Sequence, residues 1–186
     1  LGIQKSVQFV PGASCSEKAV DICDRLLSKG LGYERLRSVY YDVRRDPEYG
    51  QLARMDPEKI MSGKTVDLEN YDKGNPRDFT LFKRATLQDL KEGNVLKTKW
   101  GNVRPTWYLQ QAAAASEYLG QILLVLAGQN HIFPHLDNLR SIWNASFRVH
   151  PQAWAVSFPV IDDKGSEDKR DLRDLASDSG GFRVLR

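Results

Sequence analysis

The stretch "QILLVLAG" (121–128) constrains the fold of this chain more than any other. It is far too short to span a bilayer, which takes about 20 apolar residues. It is also too uniformly apolar to alternate between a wet and a dry face. A run of this length suits a central parallel strand covered on both faces. Its neighbours agree with that reading. "WYLQQAAAASEYLG" (107–120) predicts a helix with an alanine-rich body and Gly120 beyond its end. "HLDNLRSIWNA" predicts a second helix, and "AWAVSFPV" (153–160) alternates as a second strand. Helix, buried strand, helix, strand is the pattern of a right-handed α/β unit. Ligands in such sheets bind beyond the carboxyl ends of the strands, where "AGQNHIFPHLDN" (127–138) falls.

The N-terminal half is less regular. "SEKAVDICDRLLSKG" predicts a helix capped by Ser16 and stopped by Gly30, with Ala19, Cys23, Leu26 and Leu27 on one face. "RSVYYDV" (37–43) predicts a short strand. Residues 44–78 are charged and rich in turn formers, which marks a functional or partly disordered segment. "ATLQDLKEG" predicts a short helix with Thr86 and Asp89 spaced for a capping box and Gly93 as its stop. The tail "DDKGSEDKRDLRDLASDSG" predicts a charged loop entering a short helix. There is no internal repeat.

At 186 residues the chain is long enough for one ordinary domain. A net charge of +3 and a pI near 8.8 are compatible with RNA contact without demonstrating it. Two cysteines without a C-x-x-C pair argue against a disulfide scaffold and against a thiolate-rich zinc site. Neither a membrane nor DNA is expected as a partner. The chain begins with Leu1 rather than Met, which is expected of a processed or trimmed N-terminus. Cytoplasmic localisation is expected, with the mitochondrial matrix as the alternative.

Residue by residue, the chemistry is thin. His135 reads either as a metal ligand or as a histidine at the core rim bonded to a loop, and its lack of partner ligands favours the second. His131 reads as surface or loop packing. Trp107 reads as packing at a helix start. Asp78 and Asp137 are lone carboxylates, so no acid–base dyad is proposed. Lys83, Arg84, Lys91, Lys97, Lys99 and Arg104 cluster around Trp100, as an RNA-contacting segment would, although charge runs are more often solvated faces. Within that cluster, Lys97, Lys99 and Arg104 are the candidate RNA-binding residues. Cys23 is expected to be a buried, unreactive thiol.

Longer motifs then connect the chain to a family. "SVYYDV" with "PEYGQL", "NPRDFTLFKR", "WGNVRPTWYLQQAA", "YLG" with "AGQNHIFPHLDN", and "DLRDL" occur in this order from about residue 17 onward. Together they resemble the catalytic domain of cysteinyl-tRNA synthetases, which are class I aminoacyl-tRNA synthetases. The matching family stretches read P-R-D-F-A-L-W-K, W-G-x-x-R-P-G-W-H-x-E-C-x-A and G-G-x-D-x-I-F-P-H-H-E-N-E. The resemblance implies an α/β, partial Rossmann-like class I aminoacyl-tRNA synthetase catalytic domain with a mixed insertion. In this scheme 1–186 is a single domain, about 31–104 is the insertion-like region, 105–161 the second half of the nucleotide-binding fold, and 162–186 a degenerate KMSKS-loop region.

The resemblance also implies what has changed. The family binds the substrate thiolate through zinc. Of its ligand positions, one lies before the HIGH motif and has no counterpart in these residues. The others hold Gln111, His135 and Leu139. One imidazole cannot hold zinc where three protein ligands are the usual minimum, so no metal site is expected. The family's D-I-H strand end has become Leu123, Leu124 and Val125, and its G-G-x-D has become Ala127, Gly128, Gln129 and Asn130. The KMSKS region reads "KGSEDKR", without the motif. A substrate-pocket remnant is therefore expected at Trp107, Tyr108, Gln111 and His135, and a nucleotide-pocket remnant at Gly128 and Asn130. The expected function is that of a catalytically degenerate pseudoenzyme. It would be kept as an RNA- or protein-binding module, tRNA included, within a larger assembly and without cofactors. The alternative is a segment of an active ATP-dependent cysteine–tRNA ligase whose N-terminal half lies elsewhere. Zinc and ATP would enter only under that alternative.

Overall fold

The computed structural model describes residues 8–55, 75–119 and 124–158. In chain order it contains α1 (Ser16–Ser28), β1 (Gly32–Arg35), β2 (Ser38–Tyr41), β3 (Phe79–Arg84), α2 (Leu87–Glu92), β4 (Leu96–Thr98), β5 (Gly101–Pro105), α3 (Trp107–Tyr118), β6 (Leu124–Gly128), α4 (Asp137–Ser146) and β7 (Ala153–Ser157). Two sheets result. One is antiparallel with strand order β1-β2-β3-β5-β4, and the other is the parallel pair β6-β7. The antiparallel sheet lies between Gly32 and Pro105, so all but its last residue fall in the stretch expected to be an insertion.

α1, α3 and α4 pack against one another, and the core joins them to the antiparallel sheet. α1 contributes Ala19, Ile22, Cys23 and Leu26, α3 contributes Leu109, Ala112 and Ala113, and α4 contributes Ile142. Spacings of three and four residues place these side chains on one stripe of each helix. Phe79 ties the sheet to the helices. It stacks on Tyr41 at 4.7 Å and on Tyr49 at 5.9 Å, and meets the edge of Tyr108 at 5.5 Å. Each such ring pair adds about 0.5–1.5 kcal/mol to the burial of its surface.

Local rules account for several boundaries. The capping box at α2 forms as its spacing predicts, with Asp89 Oδ2 accepting from the Thr86 amide at 2.7 Å and Gly93 closing the helix at φ +72°. The expected cap of α1 does not form. Cys15 occupies the N-cap position, and the Ser16 hydroxyl turns back to donate to the Ala13 carbonyl at 2.7 Å. Leu26, Ala19 and Cys23 share the buried face as expected, and Ile22 joins them.

β6 pairs in parallel with β7, as its apolar run predicts, but its cover is incomplete. Leu124 is 54% and Leu126 65% exposed among the described residues, so the expectation of cover on both faces is not met there. No described helix is long and apolar enough to cross a membrane. Gly120, Leu123 and the 162–186 region, with "DLRDL", lie outside the described residues.

Candidate functional site

The segment that looked most like a site is irregular for a structural reason. β6 ends at Gly128, a single 3-10 turn carries Gln129–His131, and a second irregular turn, Ile132–Leu136, leads directly into α4. Phe133 interrupts that turn in an extended conformation, and the Phe133–Pro134 peptide is cis. The Phe133 ring meets the edge of Tyr49 at 6.1 Å. Asp137 anchors the start of α4. Its two carboxylate oxygens accept the backbone N–H groups of Leu52 and Ala53, each at 3.1 Å. The adjacent Asn138 Oδ1 accepts the Tyr49 hydroxyl at 2.7 Å. Asp78 works the same way elsewhere, accepting the Tyr33 hydroxyl at 2.7 Å and the Val43 amide at 3.1 Å. Burial raises both carboxyls above their ordinary range, against the opposing pull of those donors. Both are buried anchors for loops.

A cavity of about 560 Å³ opens beside this segment. Trp107, Gln111 and Ala115 line it from α3 at the four-residue spacing of one helical stripe, and Leu119 lines it just beyond the helix end. Leu139 and Trp143 line it from α4, Leu126 from β6 and Trp154 from β7. At one end three rings gather. Trp107 lies 4.7 Å from His135 and 5.8 Å from His131, and the two imidazoles are 5.4 Å apart. His135 Nδ1 is buried without a hydrogen-bond partner among the described residues. Burial, followed by the neighbouring His131, holds the His135 pKa below the ordinary histidine value.

The site residues read from the sequence separate here. Trp107 and Gln111 line the cavity, and His135 packs against Trp107. Tyr108 turns the other way. It is 8% exposed and donates its hydroxyl to the Thr80 carbonyl at 2.8 Å, so it joins the core against Phe79. Gly128 ends β6, and Asn130 is exposed in the following turn; neither is among the residues that line the cavity. His131, read as surface or loop packing, is exposed but stands at the cavity wall against Trp107. Its spacing from His135 within "NHIFPH" was the available signal.

The donor chemistry does not fit zinc. Leu139 offers no ligand atom, Gln111 offers a neutral amide, and His135 stands as the one imidazole among these three positions. Among the described residues no group of three histidine, cysteine or carboxylate side chains could hold a metal. Both cysteines are buried, Cys15 just before α1 and Cys23 within it, and burial pushes the Cys23 thiol far above its usual pKa. A thiol held protonated is neither a nucleophile nor a metal ligand.

Lys97, Lys99 and Arg104 sit on the β4–β5 hairpin but have different partners. Lys99 pairs with Asp24 at 2.5 Å and lies 5.0 Å from the Trp100 ring centre. Arg104 pairs with Asp89 at 3.0 Å. Lys97 is exposed and stands opposite Asn102 in the strand register.

A family model described as the tRNA synthetases class I (C) catalytic domain matches residues 1–158. Proteins named cysteine–tRNA ligase are similar to the chain along most of its length. That of Methanosarcina acetivorans is 34% identical over 139 residues, covering 74% of this chain and 29% of the relative. That of Thermotoga maritima is 33% identical, covering 66% of this chain and 26% of the relative. That of Caldicellulosiruptor saccharolyticus is 36% identical, covering 74% and 29%. The chain thus spans less than a third of the length of these relatives.

Proposed function

This chain belongs to the family of class I tRNA synthetase catalytic domains of the cysteine type, and we propose that it is a member whose catalytic chemistry is lost and whose fold is kept as a binding module. The observation that carries this reading is the wall of the cavity. Leu139 and Gln111 face a space in which the resembled family assembles a thiolate-binding zinc site, and although His131 and His135 stand beside it, no group of three histidine, cysteine or carboxylate side chains among the described residues could hold a metal. The loss of a soft, charged site in favour of leucine and an amide removes affinity for a thiolate. The relatives' name points to tRNA as the partner, and protein partners within an assembly are the other class. Metal analysis and cysteine-dependent ATP–pyrophosphate exchange test the reading together. No zinc and no exchange are expected. Stoichiometric zinc with exchange activity would overturn it.

A second reading is favoured by β6. Among the described residues β6 pairs only with β7 and leaves Leu124 and Leu126 outward, whereas parallel strands are normally covered on both faces. That geometry suits a ligase segment completed by further polypeptide of the same fold. Exchange activity restored by adding the corresponding N-terminal half of a relative supports this second reading. Continued inactivity in a stable complex supports the first.

A further inference from the structure

The cavity has physical properties of its own. No Asp, Glu, Lys or Arg occurs among the described residues that line it. Three indoles do: Trp107, Trp143 and Trp154. Trp143 commits its N–H to the Val149 carbonyl at 2.7 Å, so it has only ring surface left to offer. Gln111 and His131 are the hydrogen-bonding side chains that line the space apart from the indole N–H groups. We propose that this cavity binds a neutral aromatic small molecule carrying one hydrogen-bonding substituent, in place of the charged amino acid for which the family's pocket is built. The proposal rests on the reading that the thiolate and zinc chemistry is lost.

Each part of that ligand description follows from the wall. The volume, about 560 Å³, lies within the range of small-molecule sites, which are mostly apolar with a few placed polar groups. A zwitterion would lose the hydration of two charges and meet no countercharge among the described lining residues. An aliphatic chain would gain from burial alone, whereas a flat ring also gains offset and edge contacts with the indoles. The Gln111 amide supplies both a donor and an acceptor, so it reads a hydroxyl or a ring N–H equally well. Trp107 is held against two imidazoles, which fixes its ring before any ligand arrives.

The test titrates the chain with indole, p-cresol, toluene and zwitterionic tryptophan, and separately with cysteine plus zinc. The indole N–H resonances of Trp107 and Trp154 are followed by NMR. Indole and p-cresol are expected to saturate with Kd of roughly 0.1–1 mM, as suits ligands of this few atoms. Free tryptophan should bind at least about tenfold more weakly. Gln111→Leu should weaken p-cresol about fivefold, the worth of one hydrogen bond, and leave toluene unchanged. Leu139→Trp should fill the cavity and abolish all binding. Should that variant fail to fold, Gln111→Leu still decides the matter. Absence of saturable shifts with indole and p-cresol overturns the proposal, as does equal weakening of toluene and p-cresol by Gln111→Leu. Failure to bind aromatics and failure to bind zinc together would sink this inference and leave the loss of zinc chemistry standing. Cysteine binding that requires zinc would overturn both.

Discussion

The indole of Trp107 and the imidazole of His135 lie 4.7 Å apart with their planes tilted by 60°. This contact makes the tryptophan a reporter of the histidine's charge. Burial and His131 hold His135 below its ordinary pKa of 6.5, so the unfolded chain binds the proton more readily than the folded one. The stability that comes from neutral His135 is therefore complete above pH 6.5 and is lost as pH falls through the folded pKa. Tryptophan emission should change with a midpoint below 6.5, and His135→Gln should remove that step. The variant's denaturant midpoint should also fall less on acidification. A midpoint at or above 6.5 would contradict the burial of His135 beside His131.

Asp137 supports the same corner from the other side. Its carboxylate holds the Leu52 and Ala53 amides and is 1% exposed. Asp137→Ala should cost about 1–3 kcal/mol in urea denaturation, because two donors lose their acceptor. Asp137→Asn keeps one acceptor oxygen and should cost less. Amide exchange at Leu52 and Ala53 should accelerate in both variants, and unchanged exchange would show that the loop is held by other contacts.

The basic hairpin makes a prediction that the sequence alone could not order. Lys97 is exposed, whereas Lys99 and Arg104 are paired with Asp24 and Asp89. If the β4–β5 hairpin touches RNA, Lys97→Ala should lower the slope of log affinity against log salt by roughly 0.7–0.9. Lys99→Ala and Arg104→Ala should change that slope less and act mainly on folding stability. Fluorescence anisotropy with tRNA over a salt series separates the three, and equal slopes for all three variants would refute the ordering.

The parts of this fold that were legible in the sequence are those decided locally. Thr86 and Asp89 cap α2 through a three-residue spacing, and "AWAVS" forms a strand as expected, although its three middle residues are all half-buried. The β1–β2 hairpin was not legible, because its turn is made by Leu36 and Arg37 at φ +49° and +63°, where turns normally use glycine or asparagine. β3 was hidden for another reason. "FTLFKR" finds its partners near Val39 and Val103, and such pairings are set by the whole sheet. The candidate site divided along the same line. Trp107 and Tyr108 are adjacent in sequence but about 100° apart around a helix, which sends one to the cavity and the other to the core. The partner of Lys99 is Asp24 on α1, a contact that no local pattern announces.

The proposed loss of the zinc site can be tested by rebuilding it in the cavity. Gln111 stands one helical turn after Trp107, and Leu139 follows His135 by the same four residues at the start of α4; both line the cavity. Gln111→Cys with Leu139→Glu would supply a thiolate and a carboxylate beside the His135 imidazole, which makes three donors of the kinds zinc accepts. The double variant should bind about one zinc per chain, and a cobalt-substituted sample should show the absorption of a thiolate-bound ion. The parent chain should show neither. Each single variant should bind poorly, since two donors fall short of the usual minimum. Binding should weaken as pH falls, because the thiol and imidazole must both lose their protons. If the double variant folds and still takes up no metal, then the positions have drifted apart as well as changed identity. If it binds zinc, the cavity has a spacing that accepts the metal, and the identities of the side chains at these two positions alone decide whether it is held.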